Sequence, residues 1–196
     1  PGTLTVGKAA LMVTADSQSR AYGAANPALT ATFSGFVNGE TLASSGVSGS
    51  AAVATTAASG SAVGTYTINA TLGTLAASNY SFVLVNGTLT VTAGPLSITA
   101  NDDSKTYGQT RSYGAGSTAF TSSGLRNGET IASVTITASG GAAANAAAGN
   151  YSLNPSAPTG GTFTPANYAI TFNPGTLTVA KAVLTVTADN QARVYG

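Results

Sequence analysis

Apolar and polar residues alternate with a period of two along much of the chain. Leu11, Val13 and Ala15 are separated by Met12 and Thr14, and Leu184, Val186 and Ala188 by Thr185 and Thr187. Such alternation in short β-rich runs predicts strands with one buried face. The same reasoning predicts strands at residues 29–33, 47–55 and 66–72, and again at 118–121, 133–138 and 151–153. In SFVLVNGTLTV, Asn86-Gly87 lies between two alternating runs and predicts a two-residue hairpin whose turn requires positive φ. Its counterpart AITFNPGTLTV has Asn173-Pro174-Gly175 at that place, which predicts a longer turn with a bulge. One helical turn is expected in each of FVNGETLAS (36–44) and LRNGETIAS (125–133), capped by Asn38 or Asn127 with Glu40 or Glu129 near its positive end. Tyr22, Phe33, Tyr66, Tyr80, Phe82 and Leu89 are the expected core residues, with Ala and Val between them.

The pattern also repeats on a longer scale. GTLTVGKAALMVTADSQSRAYG at 2–23 returns as GTLTVTAGPLSITANDDSKTYG at 87–108 and as GTLTVAKAVLTVTADNQARVYG at 175–196. The Tyr-Gly pairs begin at Tyr22, Tyr107 and Tyr195, spacings of 85 and 88 residues, which is the size of a small domain and far beyond a solenoid unit. The repeats divide the chain into the end of a preceding repeat (1–8), a full repeat (9–92), a second (95–179) and the start of a third (182–196). This arrangement predicts a longer tandem array with linkers of only a few residues. Two regions depart from plain repetition: the Ser, Ala and Gly-rich stretch 46–64, read as a strand between loops, and NPSAPTGGTFTPAN at 154–167, read as an individual loop.

Composition narrows the chemistry. The chain has no Cys, no His and no Trp, so it offers no thiol nucleophile, no imidazole base and none of the soft ligands that hold zinc, copper or iron. Seven basic and six acidic residues give a net charge of +1, with no polybasic patch for phosphates or anionic lipid, so nucleic acid is not an expected partner. No apolar run reaches the roughly 18 residues of a membrane span. A surface of Thr, Ser, Ala and Gly without disulfides points to bacterial export.

Candidate sites are few. Asp16, Arg20 and Tyr22 recur as Asn101, Lys105 and Tyr107 and as Asp189, Arg193 and Tyr195. They read either as a ligand clamp at each joint or as a surface ion pair beside a buried Tyr, and the second reading is favoured because exposed pairs contribute little and recur without a function. Asn101, Asp102 and Asp103 invite a calcium site, but calcium wants six to eight oxygens and the equivalent Asp16 and Asp189 have no acidic neighbours. Glu40 and Glu129 stand alone, one per repeat, so the paired carboxylates of a glycosidase are missing. Lys8 and Lys181 at two of the joints suggest an isopeptide link to Asn, which the Lys-free third joint argues against. Tyr113 and Phe163 are read as exposed aromatics able to stack on a sugar, although the aromatic residues are needed chiefly for the cores. No catalytic, cofactor-binding or metal residue is assigned, and no cofactor is expected.

The ordered phrases LTVTAD, a basic residue before Tyr-Gly, GFVNGET, GTY, NY and NGTLTV resemble the MBG and YDG repeat modules of very large bacterial surface adhesins. In residues 9–92 they are Asp16, Arg20, Tyr22-Gly23, the run at 36–41, Gly64 to Tyr66, Asn79-Tyr80 and the run at 86–91. In the second repeat Lys105, Tyr107-Gly108, the run at 127–130, Asn150-Tyr151, Asn167-Tyr168 and the run at 175–179 resemble the YDG-like variant, with Tyr-Gly where Tyr-Asp-Gly is expected. The resemblance implies mainly β, β-grasp-like tandem modules with one short helical turn each, with Ig-like β-sandwich repeats as the alternative. It implies exported proteins of the filamentous haemagglutinin type, serving adhesion or biofilm matrix at the cell surface. The expected function is a structural stalk whose partners are neighbouring repeats. A module that itself binds host or matrix glycan or mucin is the alternative, and no ligand-contacting residue can be matched for it.

Overall fold

The alternating runs form strands, and in each repeat the strands gather into two small sheets. A computed structural model, which describes residues 2–196, is mainly β. The first repeat contains β1 (Ala9–Ala15), β2 (Gln18–Ala21), β3 (Ala31–Ser34), β4 (Ala52–Thr55), β5 (Gly64–Thr71), β6 (Tyr80–Val85) and β7 (Gly87–Thr92). The second contains β8 (Gly94–Ala100), β9 (Asp103–Thr106), β10 (Phe120–Ser123), β11 (Ser133–Ala138), β12 (Gly149–Thr159), β13 (Tyr168–Asn173) and β14 (Gly175–Ala180). Strand orders are β3-β1-β6 with β2-β7-β5-β4, and then β10-β8-β13 with β11-β12-β14-β9. Replacing each strand by its repeat counterpart turns one pair of sheets into the other.

Both sheets of the first repeat mix orientations. β1 runs antiparallel to β3 and parallel to β6, with Leu11 opposite Phe82. β7 runs parallel to β2, with Arg20 opposite Val91, and antiparallel to β5. The chain packs as two compact units. Unit 1 comprises the chain up to Leu96 together with Gly124–Glu129 and Thr164–Ala169; unit 2 comprises Ser97–Ser123, Thr130–Phe163 and Ile170–Gly196.

In unit 1 the period-two face of β1 is wholly interior, with Leu11, Val13 and Ala15 at or near zero exposure. Ala15, Ile68 and Ala70 of β5, Leu89 of β7 and Ala57 form one cluster, edged by Leu29, Val53 and Tyr66. Burying a side chain such as Ile68 or Leu89 contributes about 2 kcal/mol, so a few such positions outweigh every surface contact described below. In unit 2 the interior is supplied by Ile98, Val134, Ile136, Leu153, Leu177 and Val179. Of the expected core residues, Tyr22, Tyr80 and Leu89 are buried, whereas Phe33, Tyr66 and Phe82 are half-buried.

Several expectations are corrected. The Asn86-Gly87 hairpin does not form: β6 pairs with β1 and β7 with β2 and β5, so the chain passes from one sheet to the other at this point. Neither residue has positive φ. Gly87 is needed because a Cβ there would overlap the Ala15 carbonyl oxygen. Asn173-Pro174-Gly175 makes the same crossing in the second repeat, where a Cβ on Gly175 would lie 2.6 Å from the Ala100 oxygen.

The expected helical turns at 36–44 and 125–133 are hydrogen-bonded turns. Asn38 and Gly39 both have positive φ (56° and 71°) and the Glu40 N–H donates to the Val37 carbonyl, the pattern of a primed two-residue turn. Asn127 and Gly128 do the same at 53° and 72°. A capping residue has extended φ, so these asparagines cannot cap a helix from where they stand. The helix among the described residues is a 3-10 turn at Pro165–Asn167.

Residues 154–159, expected in a loop, continue β12 opposite β11, with Pro155 facing Ile136. A register shift on β11 and a positive φ at Ala157 mark a bulge beside Pro158, which lets a strand carry two prolines. The expected strand at 47–55 is formed only over 52–55. Residues 182–196, the start of the third repeat, belong to no strand, and Val183, Leu184 and Val186 are almost fully exposed.

These packing relations predict that Gly87→Ala lowers stability by about 1–3 kcal/mol through overpacking against Ala15. Gly2→Ala, at a position with open space around it, is expected to change stability by less than about 0.5 kcal/mol. Urea denaturation of both variants followed by circular dichroism makes the comparison.

Candidate functional site

A single carboxylate in unit 1 gathers residues distant in sequence. Glu129 follows the Asn127-Gly128 turn, and its Oε1 accepts the hydroxyl of Tyr22 at 2.5 Å while Oε2 accepts the hydroxyl of Tyr168 at 2.6 Å. The Tyr168 oxygen in turn accepts the Arg126 N–H at 2.9 Å, so that hydroxyl is used as donor and acceptor. The rings of Tyr22 and Tyr168 meet edge to face, 5.4 Å between centroids at 80°. Both tyrosines are buried.

Local folding dictates this arrangement. β2 lies along β7 in parallel, and one bond beyond its end the Tyr22 N–H donates to the Thr92 carbonyl at 2.8 Å. That bond fixes the corner and aims the ring. Gly23, with φ of 77°, completes the turn, and the Arg126 side chain lies where a Cβ on Gly23 would stand. The Tyr-Gly pair is thus explained residue by residue, the ring as a plug and the glycine as clearance for the segment that receives it. Buried Asn167, beside the plug, accepts the Val63 N–H through Oδ1 at 3.0 Å.

Charge is handled sparingly. The hydrogen bond to Glu129, with burial and the nearby negative charge, raises the Tyr22 pKa above its ordinary value of 10.0. Burial, then the bond to Glu129, pushes Tyr168 up to about 12. Both shifts favour the neutral phenol, since an ionised ring would face the carboxylate.

The same residue types recur around Glu40, also in unit 1. Its Oε2 accepts the Tyr80 hydroxyl at 2.6 Å, and the Tyr80 oxygen accepts the Val37 N–H at 3.1 Å, as in the Glu129 arrangement. Phe36 packs edge to face on Tyr80 at 5.9 Å. Here an open groove of about 440 Å³ replaces the plug, lined by Lys8, Ala9, Asn38, Glu40, Asn79 and Tyr80 among others. No hydrogen bond to Oε1 of Glu40 is made by the described residues.

The sequence-predicted trio comes apart on inspection. Asp16 accepts the hydroxyls of Thr30 and Thr32, both at 2.6 Å, which lowers its pKa, and it makes no pair with Arg20. Arg20 is buried and donates to Asn26 Oδ1 at 2.7 Å and to the carbonyls of Ala21 and Ala58. Lys105 is likewise buried, on the carbonyls of Gln109, Ala142 and Ala143. The expected surface ion pair is therefore a buried cation that ties loops together through their backbone oxygens. The expectation of a buried Tyr beside it holds for Tyr22 and fails for Tyr107, which is half-exposed at 49%.

In unit 2, Asp102 accepts the Thr176 N–H at 2.7 Å, and Asp103 accepts from Arg111 Nε at 3.1 Å and the Tyr113 hydroxyl at 2.8 Å. Arg111 and Asp103 form an ion pair, the one found among the described residues. Tyr113, expected to be exposed, is half-buried and pushed up to about 12 by burial and by Asp103, and Phe163 is buried. Lys8 donates to the Ala77 carbonyl at 2.9 Å.

The geometry defines a small two-sheet β repeat organised around a Tyr-Gly corner and one glutamate. The family model described as MBG domain, YGX type, matches residues 11–90 and again 96–178. The chain belongs to this family. The YGX-type match extends to the second repeat, whose Tyr107-Gly108 fits that type directly. No curated protein matches the chain.

Deleting the acceptor removes the carboxylate to which two buried phenols donate, so Glu129→Ala is expected to lower stability by about 2 kcal/mol. Because the folded pKa of Tyr168 exceeds its ordinary value of 10.0, its contribution is whole below about pH 10 and is lost as pH rises through about 12. Tyr168→Phe should therefore show a shallower loss of stability than the unaltered protein across that window in alkaline denaturation.

Proposed function

We propose that this chain is part of the stalk of a secreted bacterial surface adhesin, in which successive repeats act as spacers and carry no catalytic activity. The observation that carries the reading is the use of the best-formed polar cluster. Tyr22, Glu129, Tyr168 and Asn167 spend their hydrogen bonds on one another and on the backbone, joining residues of both repeats within unit 1. A catalytic carboxylate would instead be held with its oxygens directed at substrate. Membership of the MBG family accords with repeat modules of surface proteins. With 7% charged residues the surface attracts few partners non-specifically, which suits a spacer.

The repeat is proposed to be β-grasp-like in tandem, with repeat boundaries at 9–92 and 95–179. Support comes from the parallel pairing of β1 with β6, since an Ig-like sandwich is built from antiparallel sheets. Partners in this reading are neighbouring repeats, and the site of action is outside the cell, supporting adhesion or biofilm matrix. The second reading, direct glycan or mucin recognition, draws on the cavity of about 260 Å³ in unit 2, lined by Asn101, Asp102, Asp103 and Tyr113 among others. Its polar atoms are largely engaged with one another, which favours the spacer.

A glycan and mucin binding screen, with small-angle scattering on the same sample, tests the proposal. No saturable binding together with an extended scattering profile is expected. Saturable binding lost on Tyr113→Ala would replace the spacer reading with the adhesive one.

A further inference from the structure

The two repeats part company at one corner of the core, and in the second repeat that corner is hollow. Equivalent bonds identify equivalent positions. The Asp16 N–H donates to the Thr30 carbonyl and the Asn101 N–H to the Ala119 carbonyl, so Thr30 corresponds to Ala119 and Leu29 to Thr118. The strand registers likewise match Ile68 with Leu153 and Val53 with Ile136. In the first repeat Leu29 packs onto the cluster that contains Ile68, beside Val53. In the second repeat Thr118 is shorter and exposed, and a cavity of about 260 Å³ has Ile136, Leu153 and Ala119 as its apolar side. Phe120 lies 13 positions after Tyr107, where the equivalent Ala31 lies 9 after Tyr22, and the added length carries Tyr113 to the cavity wall.

The polar side of the cavity also belongs to the second repeat alone. Asp102 and Asp103 stand where the first repeat has Ser17 and Gln18. Asp103 is used within the protein: Oδ1 accepts the Ser104 N–H, and Oδ2 accepts Arg111 Nε and the Tyr113 hydroxyl. Asp102 is half used. Its Oδ1 accepts the Thr176 N–H, a task that the Ser17 hydroxyl oxygen performs for the Thr88 N–H. A neutral hydroxyl therefore suffices for the backbone, and the charge of Asp102 is not required by the fold. No hydrogen bond to Oδ2 of Asp102, or to the Asn101 carboxamide on the same wall, is made by the described residues. Arg111, the cation of this cluster, is paired with Asp103. Two changes between the repeats, a lost leucine and a gained carboxylate, thus meet at one cavity.

We propose that this cavity binds a small aliphatic amine in its ammonium form. Its alkyl chain lies on Ile136 and Leu153, taking the place that Leu29 holds in the first repeat, and its ammonium donates to Oδ2 of Asp102 and to the Asn101 carbonyl oxygen. The cavity rewards burial of the chain, and the carboxylate selects the charge, since a charge-assisted bond is stronger than a neutral one. A neutral sugar offers Asp102 no charge, so this site differs from the glycan reading, and it does not rest on the spacer reading.

The test is an NMR titration of the full chain with n-butylammonium chloride, following the methyl signals of Ile136 and Leu153 and, for reference, those of Ile68. Saturable shifts in the millimolar range, as suits a ligand of a few heavy atoms, are expected at Ile136 and Leu153 and not at Ile68. n-Butanol, the same chain without the charge, is expected to bind at least about tenfold more weakly at equal ionic strength. Asp102→Ser restores the residue of the first repeat and keeps an acceptor for Thr176. It is expected to weaken butylammonium at least about tenfold and to leave butanol unchanged. Ala119→Leu fills the cavity from its wall and is expected to abolish both; if it fails to fold, the comparison through Asp102→Ser still decides. The proposal is overturned by an absence of saturation at Ile136 and Leu153, by butanol binding as tightly as butylammonium, or by Asp102→Ser binding the amine like the unaltered chain.

Discussion

One carboxylate accepting two neutral phenols is the interaction on which the polar organisation of unit 1 depends. Tyr22 and Tyr168 are 107 and 39 residues from Glu129, and nothing local brings the three together. Three preconditions do: the parallel pairing of β2 with β7 that aims Tyr22, the Asn127-Gly128 turn that presents Glu129, and the 3-10 turn that delivers Tyr168 into β13. The cluster needs no cation. A chain with so few charged residues gains cohesion from buried phenol to carboxylate bonds, which avoid the desolvation of a second charge that a buried ion pair would require.

The rest of the fold supports this cluster by making small residues do structural work. Ala15, Ala57 and Ala70 line the first core, and Gly87 passes the chain between sheets against Ala15. Larger residues would hold the sheets further apart and move the end of β2. The buried cations follow the same economy: Arg20 and Lys105 satisfy loop carbonyls that no strand reaches, at equivalent places in the two repeats.

Much of this was legible in the sequence, at the level of pattern. Leu11, Val13 and Ala15 declared their buried face by alternation, and the repeat phrases located the family. Partner choice was not legible, because a period of two says which face is buried and not which strand lies alongside. Asn86-Gly87 looked like a hairpin for that reason: the dipeptide is suited equally to a tight turn and to a close crossing between sheets, and the contact with Ala15 decides between them. Asn38-Gly39 carried the genuine turn signal. Its reading as a helix cap weighed the following Glu-Thr above the tendency of both residues towards positive φ. The role of Glu129 was hidden because it is read from three distant segments. A signal was present, however: the glutamate after Asn-Gly and the Asn-Tyr pair recur together in both repeats, and a lone charged residue repeated beside a repeated tyrosine invites a pairing between them.

Tyr22 and Tyr168 act through the same carboxylate, and a double-mutant cycle measures that directly. Stability would be determined for the unaltered chain, Tyr22→Phe, Tyr168→Phe and the double variant. Residues that share an acceptor and touch at 5.4 Å should be non-additive by about 0.5 kcal/mol or more. Strict additivity, with both single variants costing stability independently, would contradict the shared carboxylate and with it the Glu129 cluster.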